Sequence, residues 1–317
     1  MRKAVLYYTQ AFLAHQTGRH AESPDRLRAC ISYLASRGAL EYLPILEPSR
    51  ALDEDIERVH DAALVNYIRS LAAAGGGQVD PETVVSAGSF EAAMYAAGAA
   101  MDAAKAVRRG TTSQALALVR PPGHHATRSR SMGFCLFNNI AIAARHLIEK
   151  EGARRIAILD FDVHHGNGTQ QAFSDDPRVL FVSFHRSPFY PGSGRRDDDG
   201  TGEGRGHTIN MPLPHDTPPS KYLSLWQTVL AERVRPYAPE IVLVSAGFDN
   251  YKYDPIGGLN FAVEDFEKLG KAIIGLADET CGGKVASVLE GGYDLGALGA
   301  SLAAYLQGLG AIEAQSK

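Results

Sequence analysis

Cysteine is scarce in this chain, with three in 317 residues. Cys30, Cys135 and Cys281 are odd in number and far apart, so they make neither a disulfide framework nor a CxxC metal knuckle. A reducing, cytoplasmic setting fits that usage. No run of 18 apolar residues occurs, so no segment is expected to span a membrane. The opening stretch, MRKAVLYYTQAFLAHQ, is broken by polar residues and lacks a small-residue cleavage site. It reads as a first strand, not a signal peptide. A basic excess is missing too. Lys plus Arg total 32 and Asp plus Glu 36, a net charge of −4, which argues against direct nucleic-acid binding. No linker, low-complexity segment or solenoid-length repeat divides the chain, so residues 1–317 read as a single domain.

What is present is an ordinary globular mix, 45% hydrophobic and 21% charged, over a length that buries a full core. Residues 4–8 read as a strand. Ser23-Pro24-Asp25 reads as an N-cap with proline at the first helical position, opening a helix to about Arg37. Residues 61–74 and the alanine-rich 89–109 read as helices. Further on, short apolar runs at 116–119, 155–159, 179–182, 241–244 and 285–289 read as buried strands. Helices are expected at 139–149, 219–234 and 264–280. Trp226 and Leu230 share a helical face and belong to the core. Continuous apolar strands separated by helices predict an α/β domain, a parallel sheet covered on both faces. The Gly- and charge-rich 192–206 reads as a surface loop.

Each buried strand runs into a polar, titratable or glycine-rich segment. These are RPPGHH (120–125), DFDVHHGNG (160–168), SFH (183–185), SAGFD (245–249) and EGGY (290–293). In an open parallel sheet the strand C-termini line the ligand crevice. Asp162 and His164, two apart on extended backbone, point to one side and can grip a divalent cation. Asp249 is placed to supply a third ligand, leaving open positions for water and substrate. Read singly, Asp162 and His164 could cap a loop and Asp249 the next helix. His124 and His125 follow a rigid Pro-Pro-Gly. Two adjacent imidazoles repel if both are charged, so one is expected to stay neutral, which suits a general base. Asp160 is placed to orient His124, and Asn167 to orient His125. Tyr293 follows two glycines and can donate to an oxyanion.

Together, RPPGHH, GFCLFNN, LDFDVHHGNGTQ, VSFHRSPFYPGSG, SAGFD with DPIGG, and LEGGYD resemble the histone deacetylase and acetylpolyamine amidohydrolase family. The resemblance runs from about His15 to Gly296 and implies an arginase-like α/β fold. It implies that Asp162, His164 and Asp249 bind Zn²⁺, or Fe²⁺. It makes His125 the general base and then the acid, His124 its electrostatic partner, and Tyr293 the group that polarises the amide carbonyl. Phe134 and Tyr190, with Gly133, Gly292 and Ile256, would wall the acyl channel. Asp80 would be a rim residue gripping the substrate backbone. A structural K⁺ would sit on Asp160, Asp162, His164, Ser183 and Phe184. Asn167 stands where many class I relatives carry Asp, so the chain looks class II-like.

Polyamine-selective relatives place an acid just after the Asp-Pro that follows the last metal ligand. Here that position is Ile256, and the 74–89 connection is short. Both favour an acyl-lysine of a protein or peptide over an acetylpolyamine. The competing readings are an arginase-type ureohydrolase with two manganese ions, and a non-catalytic acyl-ligand binder. The first lacks carboxylates for a second ion. The second would be expected to have lost Tyr293 or a histidine. His165 reads as structural, and no chemistry is assigned to His185. His15, His20, His60, His146, His207 and His215 read as core or surface residues.

Overall fold

Apolar runs too short for a helix and buried on both faces have one stable use, as strands between helical layers. The computed structural model, which describes residues 2–313, shows ten strands. They are β1 (Ala4–Tyr7), β2 (Ile45–Leu46), β3 (Gly76–Gln78), β4 (Val84–Ser86), β5 (Gln114–Ala117), β6 (Ile156–Asp160), β7 (Val179–Arg186), β8 (Thr208–Leu213), β9 (Ile241–Ala246) and β10 (Val285–Leu289). Eight form one parallel sheet in the order β2-β1-β5-β10-β9-β6-β7-β8, and β3 and β4 form a separate antiparallel pair. One row of the register reads Ile45, Leu6, Leu116, Ser287, Val244, Leu159, Val182, Ile209.

The helices are α1 (Asp25–Ser36), α2 (Asp53–Glu57), α3 (Ala62–Ala73), α4 (Ser89–Arg108), α5 (Asn139–Lys150), α6 (Asn167–Phe173), α7 (Pro219–Val229), α8 (Arg235–Tyr237), α9 (Val263–Cys281) and α10 (Leu295–Leu309). A widened turn, Leu230–Val234, joins α7 to α8, so the helix expected to run unbroken over 219–234 changes pitch near its end. Trp226 and Leu230 are buried, as expected. The chain leaves a gap when it jumps from β5 to β6, builds outward through β7 and β8, and returns to fill the gap with β9 and β10. Where that order reverses, the C-terminal ends of β5, β10, β9 and β6 stand side by side, and the crevice opens there.

Several boundaries differ from the sequence reading. The β5 ladder covers Gln114–Ala117, with Leu118 and Val119 buried beyond it. Ser183, Phe184 and His185 lie inside β7, not after it. Ser23 does not cap α1 through its side chain; its carbonyl accepts from the Arg26 N–H. The edge strand β8 escaped notice because Pro212 interrupts its pattern, and proline is tolerated at an edge. The three glycines of α10 each lower its intrinsic helix propensity. It forms because Asp294 caps it and because its glycines admit neighbours. A Cβ at Gly299 would strike Tyr33 of α1, and one at Gly308 would strike the Glu267 carbonyl of α9.

Candidate active site

The loop leaving β6 carries Asp162 and His164, and the loop leaving β9 carries Asp249. Their candidate ligand atoms lie within 4.8 Å of one another, and all three side chains are buried. His164 Nδ1 stands 3.0 Å from Asp162 Oδ1 and 3.1 Å from Asp249 Oδ2. One ring nitrogen cannot satisfy two carboxylates, and Asp249 Oδ2 accepts no hydrogen bond. Burial and the like charge of Asp162 push Asp249 up to about 7. Ligand bonds of roughly 2.0–2.2 Å in a tetrahedral array place donor atoms about 3.3 Å apart, close to these spacings. The donor set therefore fits a divalent cation. It is also enforced by backbone, since Val163 N–H binds Asp249 Oδ1 at 3.0 Å and Gly291 N–H binds Asp162 Oδ2 at 2.8 Å. Side chains at Gly291 or Gly247 would fall on these carboxylates, so the two glycines keep the cradle open.

His124 and His125 sit on the turn after β5, their ring centres 4.0 Å apart. Glu290, at the end of β10, anchors that turn by accepting from Gly123 N–H at 2.7 Å and His124 N–H at 3.1 Å. His124 Nδ1 meets Asp160 Oδ2 at 3.0 Å. Burial opposes charge on His124, but Asp160 and then Asp162 outweigh it and push its pKa up to about 10. His125 goes the other way. Burial, then the charge on His124 and His164, hold it well below the ordinary histidine value. Its Nδ1 lies 2.8 Å from Asn167 Oδ1. The Asn167 amide nitrogen is turned to the His125 carbonyl and Met132 Sδ, so Oδ1 is the acceptor and Nδ1 carries the proton. The Nε2 lone pair is left free, the form a base requires.

A cavity of about 280 Å³ opens over these groups. Its floor is His125 and His164, its walls Gly133, Phe134, Phe189, Tyr190, Pro255, Ile256 and Tyr293, and its rim Glu82. Phe189 stacks on His164 with ring centres 5.0 Å apart, and Tyr190 meets His125 edge-on at 5.1 Å. Tyr293 meets Phe134 edge-on at 5.6 Å. Burial pushes the Tyr293 phenol well above its ordinary pKa, so it stays a proton donor.

Two channel residues are placed differently from the sequence reading. Gly292 does not line the cavity. It lies beneath, its carbonyl accepting from Arg26 Nε at 2.7 Å, and a Cβ there would press on Phe248 and Leu298. Asp80 is not among the lining residues either; its Oδ1 accepts from the N–H groups of Glu82 and Thr83 in a local turn. Glu82 holds the rim instead. Asp160 and Ser183 are register partners on β6 and β7, which brings the residues assigned to potassium side by side. His165 bonds Ser193 and Gln170, while His185 bonds Ser183 and the Gly194 carbonyl. Both tie the 192–206 loop to the sheet.

Sequence reasoning missed the charged bed under the site. Glu22 is buried between Arg120 and Arg26, and His15 lies 3.3 Å away. Arg26 also stands over the Tyr293 ring at 4.8 Å. Glu22 and Arg26 are four apart, a spacing that ordinarily marks an exposed helix pair. The available signal was Arg120 at the head of RPPGHH.

The histone deacetylase domain profile matches residues 20–309. The chain belongs to the histone deacetylase family. It is 38% identical over 293 residues to a probable deacetylase of Archaeoglobus fulgidus, covering 92% of this chain and 81% of that one. It is 36% identical over 275 residues to a histone deacetylase-like amidohydrolase of Pseudomonas aeruginosa, covering 86% and 72%. It is 36% identical to histone deacetylase 5 of Arabidopsis thaliana but spans only 49% of that protein. The crystal structure of the HDA15 HD domain superposes with a TM-score of 0.92 at 32% identity, covering 100% of this chain and 90% of that one. This histone deacetylase family member is a hydrolase acting on amides.

Proposed function

We propose that this protein is a zinc-dependent deacetylase of acetyl-lysine in proteins or peptides. The observation carrying this reading is that one cavity is lined by a neutral His125, the Tyr293 phenol and His164, and that His164 belongs to the buried Asp162–His164–Asp249 cluster. Asp162, His164 and Asp249 would hold the zinc, which when bound supplies Lewis acidity and a water of lowered pKa. His125 Nε2 takes the proton from the attacking water. Tyr293 donates to the amide oxygen as negative charge develops on it. His125 then returns its proton to the departing amine. Charged His124, held by Asp160, stabilises neutral His125 beforehand. The aromatic walls hold an alkyl stem and exclude bulk water. Potassium would occupy Asp160, Asp162, His164, Ser183 and Phe184, and Fe²⁺ is an alternative occupant of the catalytic ligands. The three free cysteines fit a reducing cytoplasm. No helix among the described residues is long and apolar enough to cross a membrane.

The apolar Ile256 offers no counter-charge to a polyamine, which supports acyl-lysine. Glu82 at the rim supports the second reading, an acetylpolyamine amidohydrolase, because it could pair with a cationic amine. Turnover of a fluorogenic acetyl-lysine peptide and of acetylspermidine distinguishes the two. The peptide is expected to show the larger kcat/KM, abolished by a chelator, and the reverse order would assign the polyamine. Tyr293→Phe is expected to lower kcat by roughly 10²–10³ while the bound metal is retained. Near-normal activity would remove Tyr293 from the chemistry. About one metal ion per chain is expected, and two would support a ureohydrolase. Asp162, His164 and Asp249 form the one metal-capable cluster found among the described residues.

A further inference from the structure

Asp254 lies between two walls of the cavity, and its carboxylate meets backbone N–H groups. It follows β9, immediately before Pro255 and Ile256, which line the cavity. Its carboxylate is buried and accepts four backbone hydrogen bonds. Oδ1 takes the N–H groups of Ile256 and Gly257, each at 2.9 Å. That pair is a local turn. Oδ2 reaches across to the loop after β10, taking Tyr293 N–H at 2.6 Å and Asp294 N–H at 3.2 Å. An ionised carboxylate offers about four acceptor sites, and here every one is used. Hydrogen bonds to a charged acceptor are roughly twice as strong as neutral ones. The bond to Tyr293 N–H matters because the preceding Gly292, at φ +116°, is the most permissive point of that loop. Arg26 stands over the ring at 4.8 Å and Phe134 meets it edge-on at 5.6 Å.

We propose that Asp254 is a positioning residue that couples the Ile256 wall of the acyl slot to the Tyr293 hydroxyl, so that slot shape and placement of the proton donor are set by one carboxylate. This rests on the reading of Tyr293 as the donor to the amide oxygen. An asparagine has nearly the same shape but only one acceptor oxygen. Whichever way its amide turns, its NH₂ faces two N–H donors, and one wall is released.

The test is a double-mutant cycle with the metal-loaded full chain and an acetyl-lysine peptide. Asp254→Asn is expected to lower kcat by about 10-fold or more, because misplacing a catalytic group by an ångström costs on the order of 10²-fold. Metal content stays unchanged. In the Tyr293→Phe background the same substitution should cost less than about 3-fold, since residues acting through one another are not additive. An equal loss in both backgrounds would overturn the coupling while leaving the Tyr293 assignment intact. Near-normal activity of Tyr293→Phe alone would overturn that assignment and this inference with it. Thermal unfolding checks that each variant folds. If Asp254→Asn does not fold, Asp254→Glu, which keeps both acceptor oxygens on a longer stem, runs the same cycle with the same criteria.

Discussion

At His125 a single hydrogen bond decides which ring nitrogen is free. Asn167 accepts from Nδ1 without adding a charge, and burial keeps the ring neutral. A carboxylate in that place would favour the charged ring. Asn167→Asp is therefore expected to raise the His125 pKa. Activity needs the unprotonated ring, so the acid limb of the kcat/KM profile should move to higher pH. An unmoved limb in a pH series would detach His125 from the base role. The metal cradle makes a second demand at this scale. A methyl at Gly291 would fall on Asp249 Oδ2 and Asp162 Oδ2. Gly291→Ala is expected to bring bound metal well below about one ion per chain, measured on the purified protein. Full occupancy would show that the carboxylates can shift aside. In sequence the motif's glycines permit either a sharp turn or a close approach, and the neighbours of Gly291 show that it serves close approach.

Elements matter here through their ends and their contacts. The strands were legible because β5, β6, β7, β9 and β10 are continuous apolar runs, and a two-sided buried strand has no other pattern. The helix α10 was not, because LGALGASLAAYLQGL has no polar face to give an amphipathic period and carries three interrupting glycines. Its stability comes from packing. Gly308 meets the Glu267 carbonyl of α9, and Gly270 of α9 meets the Tyr305 carbonyl of α10, so the two backbones approach closely at both points. Adding volume there forces the helices apart. Gly308→Ala is expected to cost about 1–3 kcal/mol in denaturant unfolding, with metal content unchanged. A neutral result would mean that the helices separate at no cost. The charged bed shows the converse. The spacing of Glu22 and Arg26 belongs to a surface helix, and only the packing of α1 beneath the β10 loop buries it.

Across the whole molecule, buried histidines link the fold to pH. His60 donates from Nδ1 to the Thr127 carbonyl at 2.8 Å and accepts Asn138 N–H on Nε2 at 2.8 Å. A second ring proton would face that N–H. Burial accordingly lowers the His60 pKa to about 4. A histidine whose folded pKa lies below its unfolded value of about 6.5 binds fewer protons when folded. Its contribution is complete above about pH 6.5 and is lost as pH falls toward 4. That difference corresponds to on the order of 3 kcal/mol. His60→Gln removes the titration. The stability advantage of the native chain over this variant should therefore shrink between pH 6.5 and 4, measured by urea unfolding. A constant advantage would show that His60 titrates normally in the fold.

The amino-acid sequence by itself determined the parallel α/β class, the strands that carry the site, and the identities of Asp162, His164, Asp249, His124, His125, Asn167 and Tyr293. Those residues are readable because each sits at a fixed offset from an apolar strand, and strand ends in a parallel sheet share one rim. Tertiary structure alone decided that Glu82 lines the rim, that Gly292 lies below the cavity, and that Glu290 and Asp254 brace the His124 turn and the Tyr293 loop. Those roles depend on where backbone N–H groups from distant loops point, and no local pattern of residue types records that direction.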